Sequence, residues 1–269
     1  MSNVIPISEK IEQSLTNQTT ITFEHPLNET IRLCLLLEQL FQQAQADIQL
    51  VNTTTQANHA MDTLIKIMHV VDRPDLKGKL SKCLSQQAIA LSQLENNPNV
   101  DQEKLGKLLQ EMDQIADQLH AQHNKFGTLL KDNPILKVIA QYASSPGGVA
   151  YFNTPLYLLW LQKPHKEKQQ SLQTWLGTFS LIHRTIDILL RIIRSNQMMQ
   201  QHEAQKHFFQ TNLATSPVTQ LIRVQLPINA NVWPEISVGR HRLAIYFKPG
   251  ESNNSEVDAA LIFSLACCF

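Results

Sequence analysis

The spacing of apolar residues changes once along this chain, and that change divides it. From Pro26 to Asn196 the apolar positions recur every three or four residues, the period of helices buried on one side. From Leu221 onward they alternate at every second residue, the period of strands with one buried face. The expected fold is therefore α+β: a mostly α-helical bundle domain with a small antiparallel β-sheet domain formed by the C-terminal region and an N-terminal strand. The expected boundaries are a flexible N-terminal extension over 1–19, a helical domain over 25–205, and a β domain made of 20–24 plus 206–269.

In the helical part, Pro26 and Glu29 suit a first turn, and Ile31 to Phe41 is apolar on nearly every side, so this helix should be central. A second helix fits 56–71 and stops at Asp72-Arg73-Pro74, where Asp72 is expected to cap the next helix and Pro74 to open it. The third runs to about Glu95 with Leu76, Leu80, Cys83, Leu84, Leu91 and Leu94 on its buried side. Leu105, Leu108, Leu109, Met112, Ile115, Ala116 and Leu119 form the cleanest stripe, open to bundle packing or a coiled-coil seam. Short helices follow at Asn133-Pro134 and Thr154-Pro155, with a turn at Pro146-Gly147-Gly148. A long helix from about Lys166 to Asn196 would bury Leu172, Trp175, Leu176, Phe179, Ile182, Ile186, Leu189 and Ile193. The stripes over 105–119 and 172–193 are the expected dimer surface.

Three strands are expected at 221–228, 240–248 and 257–265, the last with Val257, Ala259, Leu261, Phe263 and Leu265 on one face. Asn-Val-Trp-Pro and Gly-Glu-Ser-Asn-Asn lie between them as turns. A strand at Thr20–Glu24 would complete this sheet and bring the termini together. A sheet this small needs cover, and the helical bundle is the cover expected.

Composition excludes several classes. Hydrophobic residues at 43% and charged residues at 17% rule out wholesale disorder. The 8 glycines make no G-x-G, so Rossmann, Walker A and G-x-S-x-G signatures are absent. The four cysteines show no C-x-x-C spacing, and the start of the chain lacks an apolar signal region. No run approaches the ~20 apolar residues of a membrane span. A cytoplasmic protein without membrane insertion is expected. The net charge of zero hides a segregation: residues 163–248 hold eleven Lys/Arg against four acids, a local +7. An anionic partner is expected there.

His120 and His123 lie three apart, but no cysteine stands nearby and neither follows an H-E-x-x-H pattern, so no metal or other cofactor is expected. Glu24-His25, His183 and Asp187 lack a nucleophile or oxyanion turn, so no reaction class is favoured and no catalytic residue is assigned. Trp160, Trp175 and Phe179 suit a core. The strand alternation puts Arg240, Arg242, Tyr246 and Lys248 on one polar face, and Arg223 joins them if its strand is the neighbour. The alternative is an ordinary solvated sheet face. Arginine's planar fork favours a carboxylate or phosphate partner.

Specific words in the chain then carry a resemblance. Phe23-Glu24-His25-Pro26-Leu27-Asn28-Glu29 followed by Arg32 is similar to the N-terminus of the ZapD family of bacterial cell-division proteins. So are Ser145-Pro146-Gly147-Gly148, the Pro155 to Leu161 helix with Thr174-Trp175, and Trp233-Pro234-Glu235-Ile236-Ser237. Arg242-Leu243-Ala244-Ile245-Tyr246-Phe247 and Leu265-Ala266-Cys267-Cys268 complete the set, which spans about 20–268. Residues 1–19 extend beyond the usual family start.

The resemblance implies a helical domain joined to a β domain, a homodimer, and no catalysis. It implies binding to the C-terminal tail of FtsZ, the tubulin-like division GTPase, and cross-linking of FtsZ filaments at the midcell Z-ring. Arg32 and Arg242 match family arginines, whereas Tyr246 stands where a further arginine is expected, with Arg240 and Lys248 as candidates to make up the charge. With Arg223, these are the expected partner-binding residues. The alternative class is a nucleic-acid-binding protein using the basic 163–248 segment, but RRM, KH and zinc motifs are missing, so nucleic acid is not the expected partner. Because residues 1–19 have no periodic apolar positions, their deletion is expected to leave the melting temperature nearly unchanged in a thermal scan.

Overall fold

The computed structural model describes residues 20–122, 126–143, 148–213, 218–250 and 260–269. The expected extension over 1–19, His123, Ser145-Pro146-Gly147, and Val257 and Ala259 lie outside these residues. The chain divides into two compact units, one ending at Ile31 and resuming at Ile193, the other spanning Arg32–Ile192.

The helical unit follows the apolar periodicity. Helix α1 (Glu29–Leu50) starts where the Asn28 side chain accepts the Ile31 N–H at 2.9 Å. It buries Ile31, Leu33, Cys34, Leu37 and Phe41, as its apolar run requires. Helix α2 (Thr54–Val71) opens with a capping box, Thr53 accepting from the Gln56 backbone and Gln56 reaching back to Thr53. Such a cap contributes about 1 kcal/mol. Asp47 of α1 is buried and accepts from Gln43 Nε2 at 2.6 Å and from Thr63 Oγ1 at 2.9 Å, which fastens α1 to α2.

Asp72 does not cap the third helix. It closes α2, its N–H donating to the Met68 carbonyl, and its carboxylate pairs with Lys131. Helix α3 (Leu76–Ser92) begins after Asp75, which makes no side-chain cap and pairs with Lys79 at 2.7 Å. Leu94 lies beyond its end and is exposed. Helix α4 (Gln102–Ala121) is capped by Asp101 and buries Leu105, Met112, Ile115 and Leu119. After α5 (Thr128–Lys131), α6 (Pro134–Ala143) and α7 (Pro155–Leu161), the expected long helix is two: α8 (His165–Gly177) and α9 (Ser180–Ser195). Glycine weakens the helix at 177, and the Thr178 hydroxyl takes the Trp175 carbonyl at 2.8 Å. Phe179 is fully buried at this step, its ring so close to Gly127 that a Cβ there would sit 3.0 Å away.

The β unit holds more strand than expected. Strands β1 (Thr20–Pro26), β2 (Gln200–Ala204), β3 (Phe208–Asn212), β4 (Leu221–Pro227), β5 (Val232–Val238), β6 (Arg242–Pro249) and β7 (Leu261–Cys268) form two sheets. Their orders are β1-β4-β7-β2 and β3-β6-β5, antiparallel throughout. As expected, β1 and β7 share a sheet, flanking β4. The expected cover changes, because the two sheets cover each other. Ile222, Val224, Leu226, Phe263 and Leu265 of the first join Leu243, Ile245 and Phe247 of the second in one apolar core. Phe263 meets Phe247 and Phe209 with ring centroids at 4.9 and 5.1 Å. Of the Asn-Val-Trp-Pro segment, expected as a turn, Asn231 is left-handed with φ 48°, whereas Val232, Trp233 and Pro234 belong to β5.

Two tight features close the second sheet. At Gly250 a Cβ would lie 2.5 Å from Asn231 Oδ1, so a larger residue would have to displace that side chain, and the Gly250 N–H donates to the Asn231 carbonyl at 2.8 Å. Between β2 and β3, Lys206 and His207 both hold positive φ, at 50° and 57°, the geometry of a type I′ turn. Left-handed backbone costs about 1–2 kcal/mol at a residue with a Cβ. Replacing Lys206-His207 with Asn-Gly is expected to stabilise the protein by about 1 kcal/mol, read as a higher urea midpoint at unchanged m-value.

Candidate partner-binding face

Strand β6 carries both faces of its sheet in its alternation. Leu243, Ile245 and Phe247 are buried, and Arg242, Tyr246 and Lys248 are exposed. Register builds rows across the outer face: Asn212 opposite Arg242, Phe208 and Glu235 flanking Tyr246, and Trp233 opposite Lys248. The Phe208 and Tyr246 rings lie 4.8 Å apart, and Lys248 Nζ stands 5.8 Å from the Tyr246 ring centroid. Lys248 also pairs with Glu235 at 3.3 Å. Arg242 has no ion-pair partner among the described residues, and Trp233 and Tyr246 remain 46% and 45% exposed. The face can therefore offer a guanidinium to a carboxylate beside aromatic surface for apolar side chains.

The expected site residues do not all meet here. Arg242, Tyr246 and Lys248 do. Arg240 sits in the turn just before β6, where the Gly239 N–H donates to the Arg242 carbonyl at 2.8 Å, and it is exposed. Arg223 does not join them, because β4 belongs to the other sheet. Its Nε donates to Glu24 Oε1 at 2.9 Å, and Arg194 Nη2 reaches Glu24 Oε2 at 2.6 Å. Arg32 lies exposed in the first turn of α1, at the start of the helical unit. Phe208, Trp233 and Glu235 are the members that sequence reasoning missed. The Trp-Pro pair was a visible signal, but it suggested a turn.

The basic segment is also less of a surface than its composition implies. Lys168 is buried with its Nζ on the Leu161 carbonyl at 2.9 Å, and Arg191 pairs with Glu111 at 3.1 Å. Arg194 and Arg223 are spent on Glu24, and Lys163 lies 3.7 Å from Glu167. Near this cluster, burial pushes the Cys268 thiol up to about 11, with Arg223 pulling the other way. Cys34 rises to about 12 through burial, then through Cys83 and Glu38. All four cysteines are free and those two stay protonated at neutral pH. Among the described residues no helix is long and apolar enough to cross a membrane, and no group of three or more His, Cys, Asp or Glu could hold a metal ion.

The fold so defined is a helical unit joined to a small antiparallel β-sandwich that carries a cationic, aromatic outer face. The family model of ZapD, described as a cell division protein, matches residues 35–246. Three proteins named Cell division protein ZapD give the range of similarity. The one from Coxiella burnetii is 42% identical, covering 93% of this chain and 98% of that protein. The one from Cronobacter sakazakii is 32% identical over 93% of this chain and 100% of its own length. An Escherichia coli relative is 29% identical with the same coverage. The chain belongs to the ZapD family, and its role is in cell division.

The geometry separates arginines that hold the fold from arginines that face solvent. Glu24→Gln and Arg223→Ala are each expected to cost about 3 kcal/mol in chemical denaturation, the low end for a buried pair, since the Glu24 side chain keeps 17% exposure. Arg242→Ala is expected to leave the midpoint unchanged.

Proposed function

We propose that this protein binds the C-terminal tail of FtsZ on the β3-β6-β5 face and, as a homodimer, cross-links FtsZ filaments into bundles at the midcell Z-ring. Membership of the ZapD family supports the reading, and the observation that carries it is Arg242. This guanidinium stands exposed and unpaired among the described residues, on the same outer face as the Phe208–Tyr246 rings and two rows away from them. A carboxylate of the tail takes the guanidinium fork, and an apolar side chain lies on the rings. Arg240 adds charge from the turn, and Lys248 adds less because Glu235 shares it. Arg32 is a second candidate contact. The role is binding rather than catalysis, in the cytoplasm, with no nucleic acid required.

Bundling needs two tail sites per particle. The stripes expected to make the dimer are spent inside one chain, with Met112, Ile115, Leu119, Leu172, Ile186 and Leu189 all buried. The densest run of exposed apolar side chains among the described residues of the helical unit lies in 151–159 instead. Phe152 is 85% exposed and Leu159 65%, with Leu156 and Leu158 exposed beside them. A second copy covering this segment gives a particle with two faces. Linked sites then act at an effective concentration of roughly millimolar, so weak single contacts sum to firm bundling.

Co-sedimentation with FtsZ filaments tests the reading. Arg242→Glu is expected to abolish bundling while leaving the fold and the dimer intact, since loss of a desolvated charge pair costs about 2–5 kcal/mol. Lys82→Glu, on the exposed side of α3, should bundle like the parent. Leu159→Glu should sediment as a monomer, bind a tail peptide and fail to bundle. Bundling by Arg242→Glu at moderate salt would reduce the face to an ordinary solvated sheet.

A further inference from the structure

Away from the sheet face, the helical unit contains a half-open cleft of about 450 Å³. That volume lies within the roughly 300–1,000 Å³ of small-molecule sites. One wall is a single face of α2, where Asn58, Asp62, Lys66 and His69 recur at helical spacing. The facing wall is apolar and aromatic, with Ile139, Val149, Tyr151 and Tyr157. Tyr151 and Tyr157 fall within the 151–159 segment assigned to the dimer, but the tail-binding face uses none of the cleft residues.

The hydrogen bonds around the cleft run in one direction. Tyr157 donates its hydroxyl proton to Asn58 Oδ1 at 2.5 Å, and Asn58 Nδ2 donates to Tyr151 Oη at 3.0 Å. The relay leaves the Tyr151 proton without an acceptor among the described residues. Burial pushes the Tyr157 hydroxyl up, helped by the charge of Asp62 and by Tyr151, so it remains a donor at neutral pH. Asp62 and Lys66 stand one turn apart with opposite charge, yet they make no ion pair or hydrogen bond with each other or with any other described residue. Burial raises the Asp62 carboxyl above its ordinary range, with Lys66 and His59 opposing. An exposed acid and an exposed base without an ion-pair partner among the described residues, and a hydroxyl proton without an acceptor among them, thus line one cleft with apolar side chains.

We propose that this cleft binds a free α-amino acid with an apolar side chain. The ligand ammonium lies on Asp62, its carboxylate takes Lys66 and the Tyr151 hydroxyl, and its side chain packs on Ile65, Ile139 and Val149. Residues four apart on a helix hold their Cβ atoms about 5–6 Å from each other, a separation that brackets the two charges of an amino-acid headgroup. A ligand lacking either charge leaves one wall group desolvated and unpaired, which is the basis of selectivity.

Isothermal titration calorimetry of the full chain tests this with L-phenylalanine and four analogues. L-phenylalanine is expected to bind with a Kd of about 1 mM or tighter. Hydrocinnamate lacks the ammonium, phenylalaninamide lacks the carboxylate, and glycine lacks the side chain. Each should bind at least about tenfold more weakly. N-acetylphenylalaninamide, which mimics a residue within a chain, should show no binding. Asp62→Asn should weaken L-phenylalanine about tenfold without weakening hydrocinnamate. The proposal is overturned if L-phenylalanine gives no heat up to about 10 mM, if N-acetylphenylalaninamide binds equally well, or if Asp62→Asn changes nothing. Should Asp62→Asn fail to fold, the analogue series on the parent protein decides alone.

Discussion

One carboxylate fixes the β unit. Glu24 accepts from both Arg194 and Arg223, and Arg223 Nη1 also donates to the Arg194 carbonyl at 3.3 Å. Three segments distant in sequence thereby meet: the first strand, the last turn of α9 and the central strand β4. Glu24 stands directly opposite Arg223 in the antiparallel ladder, so the pair also reports register. A one-residue slip would turn Glu24 toward the core and Phe23 toward the outside. Arg223 serves α9 as well, by bonding a carbonyl in a last turn that has no further helical donor. Removing the acid would leave two guanidiniums together, partly buried and unbalanced. That is why this cluster is structural, even though Arg223 reads as a binding residue in the sequence.

The strands legible in the sequence were mainly those that are buried on both sides along the ladder. β4, β6 and β7 are interior strands, and each carries enough apolar residues on its inner face to show a period of two. The missed strands, β2, β3 and β5, are all edges. β2 is Gln-Gln-His-Glu-Ala and buries only Ala204. β3 opens with adjacent phenylalanines, which breaks the alternation, and β5 contains Pro234, which an edge tolerates because it needs fewer ladder donors. Without these strands the sequence shows one sheet where the chain makes two, and the apolar face is assigned to the wrong cover. The helix miss has the same character. The stripe runs unbroken through 172–193, but a glycine and a threonine that bonds backward end one helix and start another on the same stripe.

At the proposed binding face, alternation was sufficient within a strand and failed between strands. Arg242, Tyr246 and Lys248 lie on one strand, so period two placed them together correctly. Arg223 required knowledge of which strand is next to which, and that information lies in the pairing rather than in either strand. Local charge misled for a related reason. The excess in 163–248 ignores acids elsewhere in the chain, and Glu24 and Glu111 lie outside that segment while taking three of its arginines. Burial removes Lys168 from the count as well.

What remains on the face is a small number of exposed cations with a larger share of aromatic surface. This shifts the balance of any contact made there. Arg240 and Arg242 interact through charge, which the ionic atmosphere screens within about 8–10 Å at ordinary salt. Phe208, Tyr246 and Trp233 act through buried apolar area, which salt does not screen. Tyr246 occupies the register position between Phe208 and Glu235, where an arginine would face one acid and one ring. With tyrosine there, the ring pair is completed and Lys248 can lie over it. With tyrosine at that position the face gains apolar contact, and Arg242 is left as an exposed guanidinium without an ion-pair partner among the described residues.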